Sequence, residues 1–225
     1  MIKNVLVVLA LLGLLVMFLP IVNNFQERSE LSELATDYVN GSIKDLNSPN
    51  VVTSVIVTYR GLDTLGEVTV LFLATLAVGF LLKKKALKTE KKEATENLKT
   101  TSTFLAALVM VLGIYIFSHG HLTPGGGFQG GVIIASGFLL LILADINLKI
   151  NHTIIQLVES FSGVFYVIIG AVGLVLTIGF LNSRIIPLGE FGNLFSAGSI
   201  PIIYSLIGLK VGAELTNIID TMEGE

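Results

Sequence analysis

The chain has no cysteine and no tryptophan, and only three histidines and five prolines among its 225 residues. Without cysteine there is no disulfide, no thiolate nucleophile and no thiolate ligation of an iron–sulfur cluster. Charge is scarce too. Asp, Glu, Lys and Arg make up 14% of the residues, against about 25% in a typical soluble domain. The net charge is −3 and the basic side chains are bunched, which argues against a nucleic-acid-binding surface. What is abundant is apolar: 52% of residues are hydrophobic and the mean hydropathy is +0.82. The chain therefore reads as an integral membrane protein, with the lipid bilayer as its first partner.

A membrane-crossing helix needs about 20 mostly apolar residues. Six segments qualify: Val5 to Val22, about Leu62 to Leu82, Thr103 to Ser118, Gly130 to Ile146, Phe161 to Leu181, and Ile200 to about Leu215. The first has a single Lys3 ahead of it and no small-x-small cleavage site after Pro20, so it reads as a retained helix and not a signal peptide. The expected fold is all-α, with about six transmembrane helices. Residues 1–85 form a two-helix unit, 86–100 a charged linker and 101–225 a four-helix unit. Segment 50–60 reads as an interfacial stretch entering the second helix, and 152–160 as an amphipathic lead-in to the fifth.

Lysine and arginine set the orientation. Lys83, Lys84, Lys85, Lys88, Lys91, Lys92 and Lys99 fall between the second and third helices and are half of the 14 basic residues. That linker is expected on the cytoplasmic side, and with six spans both termini join it. The Asn23–Asn50 loop then lies outside, where Glu27, Glu30, Glu33, Asp37 and Asp45 outnumber Arg28 and Lys44. Asp145 and Glu159 are expected at the inner ends of their helices, His152 in the same inner loop, and Arg184 and Glu190 in the last outer loop.

Two sets of charges fall inside expected spans, where each costs about 2.5–3.5 kcal/mol on insertion scales. Arg60, Asp63 and Glu67 are spaced to share one helix face. Arg60 and Asp63 either cap the helix at the interface or belong to an ion path. Glu67, deeper in, is either a structural carboxylate or a proton relay buried near Arg60. Lys210 and Glu214, four apart, form a local ion pair that snorkels to water or a charged step in a lateral ion path. Gly208 and Gly212 make a small-xxx-small face suited to close helix packing.

The segment "FSHGHLTPGGGFQGGV", Phe117 to Val132, breaks the apolar pattern. The apolar runs on either side are short for a span, so the Pro124–Gly131 loop is expected to dip below the membrane surface. Irregular backbone at that depth survives only against protein or water. Interrupted short spans are also a pointer to transport sites. His119 and His121 beside it titrate near neutrality, so each is either a proton carrier or a hydrogen-bonded structural residue. The glycines lack the Lys-Ser/Thr of a phosphate loop. The two histidines, with no carboxylate near them in sequence, do not make a metal site.

At these residues a resemblance emerges. "GHLTPGGGFQGGVIIA" and "IPIIYSLIGLKVGAEL" resemble the B subunit of Mrp-type sodium/proton antiporters, over about residues 100 to 220. "YRGLDTLGEVTVLFLATLAV" is similar to the carboxy-terminal part of the antiporter A subunit and to the small E-type subunit of membrane-bound hydrogenases, over about residues 1 to 85. The resemblance implies a fusion of two neighbouring subunits of a large complex in the cell membrane that exchanges Na⁺ for H⁺. Its partners would be other membrane subunits and, in the hydrogenase-type relatives, a redox arm with iron–sulfur and metal-site subunits. This chain itself would carry no cofactor and no catalytic residue. The ion path would fall on Asp63, Glu67, His121, Lys210 and Glu214, and less securely on His119. The loop and packing block would fall on Pro124, Gly125, Gly126, Gly127, Phe128, Gln129, Gly130 and Gly131. A redox-driven complex is the leading expectation. A stand-alone antiporter, a purely structural scaffold subunit and a self-sufficient transporter are the alternatives.

Overall fold

A computed structural model of the protein describes residues 2–25, 30–82, 94–145, 148, 150–177 and 179–223. Every regular element among them is helical: α1 (Ile2–Asn23), α2 (Glu33–Lys44), α3 (Val51–Ser54) running into a π-helical turn (Val55–Tyr59), α4 (Gly61–Leu82), α5 (Glu96–Ser118), α6 (Gly127–Ala144), α7 (His152–Leu176), a 3₁₀ turn (Ser183–Ile185) and α8 (Ile200–Glu223). Six of these, α1 and α4 to α8, are long and apolar enough to cross a membrane. The protein is thus a multi-pass, all-α membrane protein, as its composition predicts. The chain divides into two compact units, residues 1–36 and 37–225. In the first, every described side chain of α1 is exposed along its apolar length. Six of the lysines in the charged linker, from Lys83 to Lys92, lie outside the described residues.

The second unit is built around α8, which packs on α4, α5, α6 and α7. Ile200, Ile203, Tyr204, Ile207 and Val211 recur at helical spacing and are each at most 2% exposed. Lipid tails are as apolar as these side chains, so van der Waals fit and close approach hold such helices together. The glycines supply the approach. A methyl group at Gly131 of α6 would stand 2.7 Å from the Gly208 carbonyl oxygen of α8. On the opposite side of α6, one at Gly130 would stand 2.6 Å from the Gly113 oxygen of α5. α6 is therefore clamped between two helix backbones.

Several helix limits depart from the sequence reading. α5 starts at Glu96, not Thr103, because Thr95 caps it by accepting from the Leu98 amide; it is a full span of 23 residues. α6 starts at Gly127, so Gly127, Phe128, Gln129, Gly130 and Gly131 are helical, not loop, and the break narrows to His119–Gly126. It ends at Ala144, two residues short of the expected Ile146. α7 includes the expected lead-in: Asn151 accepts from the amides of Thr153 and Ile154 and starts one continuous helix at His152, which stops at Leu176 and not Leu181. α8 continues to Glu223, past the expected end near Leu215.

Candidate functional site

The α5–α6 turn is held by the short helix ahead of α4. Asn50 caps α3 through the Thr53 amide, and its Nδ2 donates to the carbonyls of Gly120 (2.8 Å) and Thr123 (2.9 Å). The Asn50 amide and Ser48 Oγ donate to the His121 carbonyl, and Thr53 Oγ1 to that of Gly120 at 2.6 Å. Gly125, at φ +147°, takes a backbone conformation open mainly to glycine. His121 is fully buried. Its Nε2 lies 3.4 Å from the Asn193 carbonyl, while Nδ1 has no hydrogen-bond partner. Burial holds the imidazole below its ordinary pKa, with the Asn193 carbonyl opposing that shift. His119 ends α5; its Nδ1 is 3.0 Å from the Tyr115 carbonyl and its ring stacks on Tyr115. At the same end of the bundle, Arg184 donates to the carbonyl and carboxylate of Asp45, both at 3.1 Å. A cleft of about 380 Å³ opens there, lined by Asp45, Tyr59, Asn182 and Arg184 among others.

On α4, Gly61, Thr64, Val68 and Thr75 form the buried stripe. Asp63 and Glu67 share the exposed side. Arg60 pairs with Asp63 (Nε–Oδ2 2.7 Å) and not with Glu67. The expectation of a Glu67 buried in this chain and restrained by Arg60 is therefore corrected. The helix period turns its carboxylate outward, about 9 Å along the axis from Gly61, and within electrostatic reach of Tyr166 on α7. Tyr166 itself is 1% exposed and donates to the Gly61 carbonyl.

The third feature lies between α4, α7 and α8. Lys210 and Glu214 pair at 2.7 Å, as their spacing predicts. They do not snorkel: Lys210 is 9% exposed and Glu214 is 0% exposed, because α8 runs on for more than two turns beyond them. The Lys210 ammonium stands 4.8 Å from the centre of the Phe72 ring on α4. Its aliphatic stem lies along Gly163 of α7. One turn back on that helix is Glu159, which is 9% exposed and coupled electrostatically to both Lys210 and Glu214. The sequence reading placed Glu159 at the interface, and the structure corrects this. Asn151 is the signal that locates it: an N-cap there puts Glu159 two turns inside a helix. His152 and Asp220, 3.0 Å apart, close the far ends of α7 and α8. The structure thus separates the expected ion-path residues into three places. His119 and His121 lie at the turn, Asp63 and Glu67 on an exposed helix face, and Lys210 and Glu214 in a buried charged cluster with Glu159.

Residues 97–217 match the family described as a domain related to the MnhB subunit of Na⁺/H⁺ antiporter. Residues 3–99 match the MbhE family, named for the E-type component of MBH. An uncharacterized protein of Methanocaldococcus jannaschii is 30% identical over 197 residues, covering 75% of this chain and 74% of that protein. A putative antiporter subunit, mnhB2, of Staphylococcus aureus is 29% identical over 139 residues, covering 54% of this chain and 98% of the relative. A chain of the membrane-bound sulfane sulfur reductase, an archaeal respiratory membrane complex, superposes with a TM-score of 0.84 at 40% identity, covering 99% of this chain and 98% of that one. The chain belongs to the MnhB-related family of antiporter subunit domains, joined here to a region that matches the MbhE family.

Proposed function

We propose that this chain is a membrane subunit of a cation/proton antiporter-type module inside a redox-driven respiratory complex of the cell membrane. The observation that carries the reading is the likeness along 99% of the chain to one chain of such a complex. The match of residues 97–217 to the MnhB-related domain supports the antiporter half. Other membrane subunits are its partners, and a redox arm with iron–sulfur and metal-site subunits drives the module. Na⁺ and H⁺ are the transported ions, and both termini face the cytoplasm, in keeping with the lysine-rich linker.

Within this reading Glu67, with Asp63 beside it, is the ion-path carboxylate. Glu67 is exposed in the chain by itself yet sits well inside a span. An ionised carboxylate facing hydrocarbon is costly, so a neighbouring subunit or a wet passage covers it. The test is Glu67→Gln in the intact complex. Antiport falls away while assembly persists. Unchanged antiport from neutral to alkaline pH, with the complex assembled, removes Glu67 from the path.

A second reading, a scaffold subunit without ion-path residues, is favoured by the α5–α6–α8 region, where the PGGGFQGG block serves close packing. The same variant separates the two, because a scaffold predicts lost assembly, whereas a relay predicts intact assembly with lost transport.

A further inference from the structure

Glu159, Lys210 and Glu214 are three ionisable side chains, each at most 9% exposed, on the facing sides of α7 and α8. Glu159 lies about 10 Å along the axis from the start of α7, and Glu214 about 13 Å from the end of α8. One ammonium serves two carboxylates: it pairs with Glu214 and lies within electrostatic reach of Glu159. Glu214 takes the ion pair, at 2.7 Å, but neither of its oxygens meets a properly directed hydrogen-bond donor. The hydroxyls on the same helices are spent elsewhere: Ser162 donates to the Val158 carbonyl and Thr216 to that of Gly212. An uncompensated charge at this depth is costly, and one bound cation restores neutrality.

That cation is a proton and not a metal ion. Hard cations need a shell of about six oxygens, and here the position beside Glu214 is already held by the Lys210 ammonium. We propose that Glu159, Lys210 and Glu214 form a one-proton site, in which the carboxyl that Lys210 does not face carries the proton. In the arrangement seen, Lys210 faces Glu214, so Glu159 is the acid. The Lys210 stem runs along Gly163, one turn from Glu159. A swing of the ammonium toward Glu159 moves the proton to Glu214: one O–H bond breaks at Glu159, one forms at Glu214, and Lys210 stays charged. The Phe72 ring face supports the ammonium in the arrangement seen.

The charged and titratable groups around the site are few. α4 contributes only Asp63 and Glu67, both near its start; α7 adds Tyr166 and α8 adds Tyr204, both toward the α5–α6 turn. α6 carries no ionisable residue before its cap, Asp145. α5 carries Glu96 and Lys99 at one end and Tyr115 at the other. His152 and Asp220 pair at the ends of their helices.

The inference deepens the antiporter reading, but its test needs no transport. It is infrared spectroscopy of the purified intact complex, comparing spectra in H₂O and D₂O for wild type and variants. A protonated carboxyl gives a carbonyl band that shifts on deuteration. Glu159→Gln loses one such band, and Glu159→Asp moves it. Glu214→Gln also loses it, because Lys210 then faces Glu159. Lys210→Met gains one band. If Lys210→Met does not assemble, the isosteric Glu159→Gln decides alone. If no band is lost in assembled Glu159→Gln, or if the band is present only when Na⁺ is absent, the one-proton site is wrong. Normal antiport in Glu67→Gln leaves this result untouched, so the two readings fail separately.

Discussion

At the α5–α6 turn, the carbonyls of Gly120, His121 and Thr123 each meet a donor from residues 48–53. Between α7 and α8, a single ammonium pairs with Glu214 and has a second buried carboxylate, Glu159, within electrostatic reach, and both oxygens of Glu214 lack a directed hydrogen bond. The first region spends its polar groups on fixing the backbone, and glycines let the helices close around it. The second keeps charge in reserve. Backbone polar groups that are satisfied, as at the turn (where His121 Nδ1 is an unpartnered side-chain atom), rigidify a core, whereas a partly satisfied charged cluster is where protonation and movement concentrate. This difference fits the division proposed above, in which the glycine-rich turn holds the helices and the ionic cluster is a protonation site.

The largest effect is expected at the cluster. Lys210→Met strips Glu214 of its counter-charge, so the buried carboxyl must stay unpaired or take up a proton, and breaking such a pair costs up to about 3–5 kcal/mol. Lys210→Met with Glu214→Gln removes both charges and restores most of the loss. Thermal unfolding of the purified complex measures both. If the double variant is no more stable than the single one, Lys210 acts through packing on Phe72 and Gly163, and the contrast with the turn disappears.

Next in size is the clamp on α6. Gly131→Ala drives a methyl group into the Gly208 carbonyl, and overpacking of this kind costs about 1–3 kcal/mol. Gly66→Ala on α4 meets nothing within 4 Å and is neutral or slightly stabilising, since alanine is the better helix former. Transport per assembled complex is unchanged in Gly131→Ala. A variant that assembles at the wild-type level and loses transport breaks the division between holding and chemistry.

Much of this was legible in the sequence. Composition dictates a membrane protein, and long apolar runs dictate six spans and their order. The Gly/Pro break between the third and fourth spans is real, and so is the Lys210–Glu214 pair that the i, i+4 spacing predicts. What escaped was depth. Counting apolar residues starts α5 at Thr103 and α7 at Phe161, but Thr95 and Asn151 cap those helices earlier. That error moved Glu159 from the middle of a helix to its edge. The direction of Glu67 was legible only as a shared face with Asp63; which side of α4 is buried depends on packing against α8. The meeting of Glu159 with Lys210 across two helices leaves no trace in linear spacing. For the PGGGFQGG block, the sequence reads as an irregular loop buried against protein or water, whereas its later glycines are the contact surface of a helix.

The smallest expected effect is a pH slope at the turn. His121 is fully buried, and burial holds its pKa below the ordinary 6.5. The unfolded chain binds a proton there near that ordinary value, while the folded turn resists it. Below pH 6.5 the unfolded state therefore holds more protons, and stability falls as pH drops; above that value the residue adds no pH dependence. His121→Gln removes the slope without adding a charge. The quantity to measure is the unfolding temperature of wild type minus that of the variant, taken from neutral to mildly acid pH. A difference that stays flat shows that a water or an acceptor satisfies Nδ1 and that the turn tolerates the imidazolium. The turn would then share the reserve of protonation that the comparison gives to the Glu159–Lys210–Glu214 cluster.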